Sequence, residues 1–262
     1  MPPTLHVTDA GTGPPLVLVH GAMDRSGGLA RVARHLPDNR VIRYDRRGYA
    51  RSLALGPADL ATHAADLVDL LRAVAVPEPG GRAVVVGHSM GGLVALAAAH
   101  ARPDLVAAVG AYEPPTPWRE EWPPGIERWR GTDEAAADRV IEHAVGAERW
   151  ARVPASLRAD RRAEGAALMA EMRSLVAGPP GALPAGLGPV AVPAVLAHGS
   201  ESPAHVAVGL AGFARDLGAG TPHVLDGPGH QAPTTHARAY AAWARSLVAL
   251  RPGVDAPAAA SR

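Results

Sequence analysis

The residues of this chain whose types and spacing best suit chemistry are Gly87-His88-Ser89-Met90-Gly91. A serine hydroxyl is a weak nucleophile unless it projects from the backbone, meets a base and sits beside free N–H groups. The flanking glycines allow a turn too tight for side chains. Val84-Val85-Val86 before it reads as a buried strand, and Leu93 to His100 after it is a run of strong helix formers. Strand, sharp turn and helix around Gly-x-Ser-x-Gly form a nucleophile elbow. The turn supplies projection, and the first turn of the helix supplies unpaired N–H groups with a dipole that favours negative charge.

The elements that must position this serine follow from the hydrophobic pattern. Leu16-Val17-Leu18-Val19 is a continuously apolar run, as expected of a strand covered on both faces. It ends in His20-Gly21-Ala22. Residues 4–15 are polar and rich in turn formers, which predicts an edge hairpin. Arg40 to Tyr44 is a further strand, running into Asp45-Arg46-Arg47-Gly48-Tyr49. Leu60, Ala64, Leu67, Val68 and Leu71 are spaced for one buried face of a helix over 58–75. Strands are predicted at Val106–Tyr112, Val192–Ala197 and Thr221–Leu225, with helices near 28–36, 204–217 and 233–250. Strands alternating with helices predict an α/β class with a mostly parallel, doubly wound sheet. From 114 to 180 the rhythm breaks into polar, helix-forming sequence without strand signals, and 252–262 reads as a frayed tail.

Composition removes several alternatives. The chain has 262 residues, 47% of them hydrophobic, enough for a substantial core. Its formal net charge is +1, and basic residues nowhere cluster densely enough to suggest a nucleic-acid surface. All 26 basic residues are arginine. With no cysteine, thiolate catalysis, disulfides and cysteine-based metal sites are excluded. The N-terminus lacks a basic start and an apolar core, so no secretory signal is expected. No apolar run approaches the ~18–20 residues of a membrane helix. A cytoplasmic protein without a membrane or nucleic-acid partner is the expectation. The twelve histidines show no metal-ligand spacing. His20, His88 and His198, beside glycines at strand ends, read as hydrogen-bonded packing residues. Asp45-Arg46 reads as a turn brace rather than a second catalytic pair.

In this order the pieces resemble the α/β-hydrolase superfamily, in particular its small bacterial serine esterases and haloperoxidase-like hydrolases. The resemblance rests on His20-Gly21, Tyr44–Tyr49, the Ser89 elbow and the late Gly227-Pro228-Gly229-His230. It implies one α/β-hydrolase domain over 1–262 with a helical cap inserted at 114–180. It also implies Ser89 as nucleophile, His230 as base and the backbone N–H groups of Met90 and Ala22 as oxyanion hole. The acid departs from the usual pattern. Most members place an aspartate three residues after the glycine that ends the penultimate strand, where this chain has Ser202. Two carboxylates can substitute. Glu201 lies one residue early in the same loop; Glu113 ends the strand after the elbow helix, a position some members use. Glu113 is preferred, because its strand should neighbour the nucleophile strand and Pro114-Pro115 stiffen its mount.

Four of the five tryptophans, Trp118, Trp122, Trp129 and Trp150, fall in the expected cap. They anchor it, line an apolar substrate tunnel, or do both, which makes Trp118 and Trp122 candidate pocket residues. The resemblance implies a serine hydrolase acting through an acyl-enzyme on a small, largely apolar carboxylic ester, lactone or thioester. The alternatives are perhydrolase, C–C hydrolase, lyase or acyl-transfer chemistry on the same apparatus, or a non-catalytic binding or isomerising protein. The implied partner is a small-molecule substrate, with no metal, no cofactor and no particular oligomeric state.

Overall fold

Seven strands carry the molecule, and their apolar runs explain their order. A computed structural model describes residues 4–75, 81–123, 133–179 and 181–251. The expected tail at 252–262, the turn at 76–80 and Trp129 lie outside the described residues. The strands are β1 (Val7–Ala10), β2 (Pro15–Val19), β3 (Arg40–Tyr44), β4 (Ala83–His88), β5 (Val106–Tyr112), β6 (Ala194–Gly199) and β7 (His223–Leu225). They lie in the order β1-β3-β2-β4-β5-β6-β7. All neighbouring pairs are parallel except β1 with β3. The three central strands, β2, β4 and β5, are fully buried.

Helices cover both faces, as a parallel sheet requires. On one face α2 (Leu60–Ala75), α3 (Met90–Ala101) and α8 (Ala204–Leu217) pack on Val17, Val19, Val85 and Val109. On the other, α1 (Ala30–Arg34) and α10 (Ala237–Val248) pack on Leu16, Leu18, Val84 and Val86. The alternation of odd and even positions along β2 and β4 between these two clusters is the period of two that a strand imposes. The apolar stripe expected on α2 is buried throughout: Leu60, Ala64, Leu67, Val68 and Leu71. Between β5 and β6 the chain forms α4 (Asp133–Val145), α5 (Ala147–Ala151), α6 (Ala155–Arg162) and α7 (Gly165–Leu175). These helices meet the body through a third cluster, in which Ala136, Ile141, Trp150, Leu168 and Met169 surround Met23 and Tyr49.

Two expectations need correction. The N-terminal segment does not fold back on β2 as a hairpin. Instead β1 pairs antiparallel with β3, because β2 is flanked on both sides by parallel strands and offers no free edge. The last helix is not continuous either; α9 (Ala232–Thr235) ends at His236, and α10 starts afresh at Ala237. No helix among the described residues is long and apolar enough to cross a membrane.

The contact of β5 with α10 is close because Gly110 has no side chain. A Cβ there would lie 2.4 Å from Leu247 Cδ1 and 3.1 Å from the Trp243 ring. Gly110→Ala should therefore destabilise by overpacking, by about 1–3 kcal/mol. Leu247→Ala should cost about 2–5 kcal/mol by leaving a cavity. In the double variant the new methyl occupies the vacated space, so its loss, read from urea unfolding, should be smaller than the sum of the two single losses.

Candidate active site

The site forms where β2, β4 and β5 end side by side. β4 delivers Ser89 with φ 53° and ψ −126°, in a region that non-glycine residues seldom occupy. The two elbow glycines leave no alternative. A Cβ at Gly87 would sit 2.1 Å from Gly91 O, and one at Gly91 would sit 2.4 Å from Val19 O. Ser89 itself remains partly exposed, while its neighbours His88 and Met90 are buried. The loop after β2 passes close by, with the Cβ position of Gly21 only 3.1 Å from Ser89 Cβ. The N–H groups of Ala22 and Met90 both border this junction. Neither donates a hydrogen bond to another described residue. Met90 N–H additionally belongs to the first turn of α3, where the helix dipole adds positive potential.

Glu113 follows β5 as Ser89 follows β4; the strands are in register at His88 and Tyr112. Ser89 N–H donates to Tyr112 O and Glu113 N–H to Ala197 O, both at 2.8 Å, so the ladder holds both residues. Among the described residues four non-glycine residues have positive φ, and three surround this spot: Met23 at 53°, Ser89 at 53° and Glu113 at 44°. Backbone strain of this kind costs on the order of 1–3 kcal/mol per residue and gathers at working sites.

His230 Nδ1–H donates to Glu113 Oε2 at 2.8 Å. The Glu113 side chain is buried at 2% exposure, whereas that of His230 is 46% exposed, so the imidazole faces outward from a covered carboxylate. Glu113 Oε1 accepts from Gly199 N–H at 2.9 Å and from the Ser202 hydroxyl. Burial alone would raise this carboxyl. The hydrogen bonds from His230, Gly199 and Ser202 outweigh it and hold the group below its ordinary range. Ser202 thus stands beside the carboxylate and donates to it. Glu201 is exposed, and its backbone N–H donates to Pro228 O at 3.4 Å. The structure brings Glu113, not Glu201, to His230.

The segment carrying His230 is held at two successive carbonyls. Tyr112 O–H donates to Gly229 O at 2.9 Å, and His88 Nε2–H donates to His230 O at 2.8 Å. Sequence reasoning assigned His88 to packing; the structure adds that it fixes the loop of His230. Its ring lies 4.8 Å from that of His230. Burial, and then the neighbouring His230, push His88 down to about 3, so it stays neutral. His20 is kept neutral in the same way, by burial and by Arg46. Asp45 braces its turn, accepting from Ser26 N–H at 2.7 Å and Arg51 N–H at 3.3 Å. Arg46 points elsewhere, into a buried ion pair with Glu171 of α7. Glu171 was missed by sequence reasoning; its signal was a carboxylate on the same stripe as Leu168 and Leu175, both buried.

Trp118 and Trp122 both meet α8. Trp118 is buried edge-on against Phe213 at 5.4 Å, and Trp122 stands edge-on to His205 at 5.7 Å. Trp150 is buried in the third cluster and donates from Nε1 to Asp138 at 3.1 Å.

A sequence model described as the Alpha/beta hydrolase family matches residues 16–243. Lipase LipV of Mycobacterium tuberculosis is 38% identical over 112 residues, 42% of this chain and 41% of the lipase. An epoxide hydrolase of Caballeronia sordidicola is 37% identical over 123 residues, 45% of this chain and 36% of that protein. These matches therefore span about two fifths of the length of the curated relatives. Among solved structures, Est816, an N-acyl homoserine lactone degrading enzyme, superposes with a TM-score of 0.66 at 22% identity. It covers 92% of this chain and 96% of its own.

The neutrality of His88 has a consequence for stability. Below its unfolded value of 6.5 the unfolded chain takes up a proton that the folded protein refuses down to about 3. Stability is therefore lost as pH falls through that window. His88→Gln keeps a donor near Nε2 and removes the titration. Its urea midpoint should fall less steeply than that of the wild type on the acid side of pH 6.5; parallel slopes would contradict the assignment.

Proposed function

Because the chain belongs to the alpha/beta hydrolase family, we propose that it is a serine hydrolase acting through an acyl-enzyme. The observation that carries this reading is the 2.8 Å hydrogen bond from His230 to the buried Glu113, on the strand beside the one that projects Ser89. Ser89 Oγ attacks the substrate carbonyl while His230 takes its proton. Glu113 holds the imidazole in one tautomer and stabilises its charged form. The N–H groups of Ala22 and Met90 bind the oxygen as it becomes negative. His230 then returns the proton to the leaving group, and water enters by the same base to release the acid.

The proposed substrate is a small, largely apolar carboxylic ester, lactone or thioester. Ala22 packs against the first and third apolar clusters, and Met23 beside it lies within the third, so apolar side chains of α4, α5 and α7 border the oxyanion loop. A similar sequence is named a lipase, and a structure of the same fold is described as an N-acyl homoserine lactone degrading enzyme. Four helices between β5 and β6 are proposed to act as the cap of this site.

A panel of p-nitrophenyl esters of increasing acyl length, together with labelling by a fluorophosphonate, tests the reading. Ser89→Ala should fold normally and lose roughly 10³-fold or more in kcat. Retention of most esterase activity by this variant would end the serine-hydrolase reading.

The acid has its own test. Glu113→Gln should lower kcat by about 10⁴-fold, by analogy with removal of the charge in other serine triads. Glu201→Gln should leave kcat within a few fold. Since Ser202 Oγ contacts Glu113 Oε1, adding Ser202→Asp to Glu113→Gln should recover part of the activity. The reverse ranking of the single variants would move the role to Glu201.

A further inference from the structure

Arg46 is fully buried, and its donors are aimed at the backbone that follows β2. Its Nε–H donates to His20 O at 2.9 Å and an Nη2 hydrogen to Gly21 O at 3.0 Å. His20 Nδ1–H reaches the same Gly21 O at 2.7 Å, and His20 Nε2 accepts the Arg46 backbone N–H at 2.9 Å. Gly21 O and Ala22 N–H belong to one peptide unit, planar and trans, in which carbonyl and N–H point in opposite directions. Two donors gripping Gly21 O therefore aim Ala22 N–H the other way, toward the side on which Ser89 stands.

The grip depends on where the guanidinium is held, and that is set from another part of the chain. Arg46 Nη1 pairs with Glu171 Oε1, both groups being fully buried. Tyr49 O–H donates to Glu171 Oε2 at 2.9 Å, and its ring lies under the guanidinium at 4.9 Å. His63 Nε2 stands 3.0 Å from Glu171 Oε1. Glu171 belongs to α7, in the stretch between β5 and β6, with Leu168 and Leu175 buried on the same helix.

We infer that Glu171 is a positioning residue that sets the oxyanion-binding N–H of Ala22 through Arg46, linking α7 to the chemistry. The inference rests on the serine-hydrolase reading. It also says which part of the stretch between β5 and β6 cannot move away during turnover. Displacing α7 would leave two opposite charges unpaired in the interior, a large penalty.

The test measures kcat and KM for p-nitrophenyl acetate and the inhibition constant of an alkyl trifluoromethyl ketone. This ketone adds Ser89 to give a tetrahedral oxyanion. Glu171→Gln keeps the shape and removes the charge. It should lower kcat by about 10- to 100-fold, less than outright loss of an oxyanion donor. KM should stay within about threefold, and inhibitor binding should weaken by the same factor as kcat. Glu171→Asp should restore part of both. A folded Glu171→Gln protein with unchanged kcat and inhibitor binding would overturn the inference, as would a change confined to KM. If Glu171→Gln does not fold, Arg46→Met with Glu171→Met removes both charges together. It should show the same paired loss in kcat and inhibitor binding, and unchanged values would overturn the inference equally. Failure of the wild type to react with a fluorophosphonate at Ser89 would instead remove the reading beneath it, and the inference with it.

Discussion

Around residue 89 three stretches of backbone approach one another so closely that no Cβ fits between them. The end of β2 lies against Gly91, and Gly91 lies against Gly87. Everything at the candidate site follows from this contact. It forces Ser89 into a strained conformation that lifts its hydroxyl out of the sheet. It begins α3 immediately after the serine, so that Met90 presents an unpaired N–H. It also brings the His20–Ala22 loop alongside, since the neighbour of β4 in the sheet is β2. The strain needs a rigid surround. The fully buried β2, β4 and β5 supply it, with helices packed on both faces.

The site is held together by a division of labour among polar groups. The outward-facing residues, Ser89 and His230, are those that the proposed reading brings to a substrate. The buried groups hold their surroundings: Glu113 at the side-chain end of His230, His88 and Tyr112 at its backbone, and Arg46 beneath the His20–Ala22 loop. Each buried polar group is placed so that its neighbours favour one protonation state. Hydrogen-bond donors hold Glu113 ionised, while desolvation keeps His20 and His88 neutral. This is how one small volume accommodates carboxylates, imidazoles and a guanidinium without mutual neutralisation.

Much of this was legible in the sequence, because the signals were local. The elbow announces itself through glycines that only a tight turn needs, and β2, β4 and β5 through apolar runs that only a doubly covered strand tolerates. Glu113 could be preferred over Glu201 from the adjacency of its strand and from the prolines that stiffen its mount. What was missed is non-local. Pairing of β1 with β3 instead of β2 depends on which sheet edge is free, and nothing in residues 4–15 records that. The break at His236 between α9 and α10 interrupts an otherwise continuous helical pattern. Glu171 lies 125 residues from Arg46, and nothing local to α7 names its partner. Trp118 and Trp122 were legible as anchors, pocket walls or both, and their contacts with α8 supply the anchoring part.

The contact between Ser202 and Glu113 makes the loop after β6 and the end of β5 two routes to a single locus. A carboxylate at position 202 would start from where Ser202 Oγ now meets Glu113 Oε1, the oxygen that also accepts from Gly199 N–H. Under the proposed serine-hydrolase reading, two substitutions would then move the mount of the acid from one strand end to the other. The intermediate that carries both carboxylates would share a proton between them, as closely paired acids do, and would still present one negative charge to the histidine.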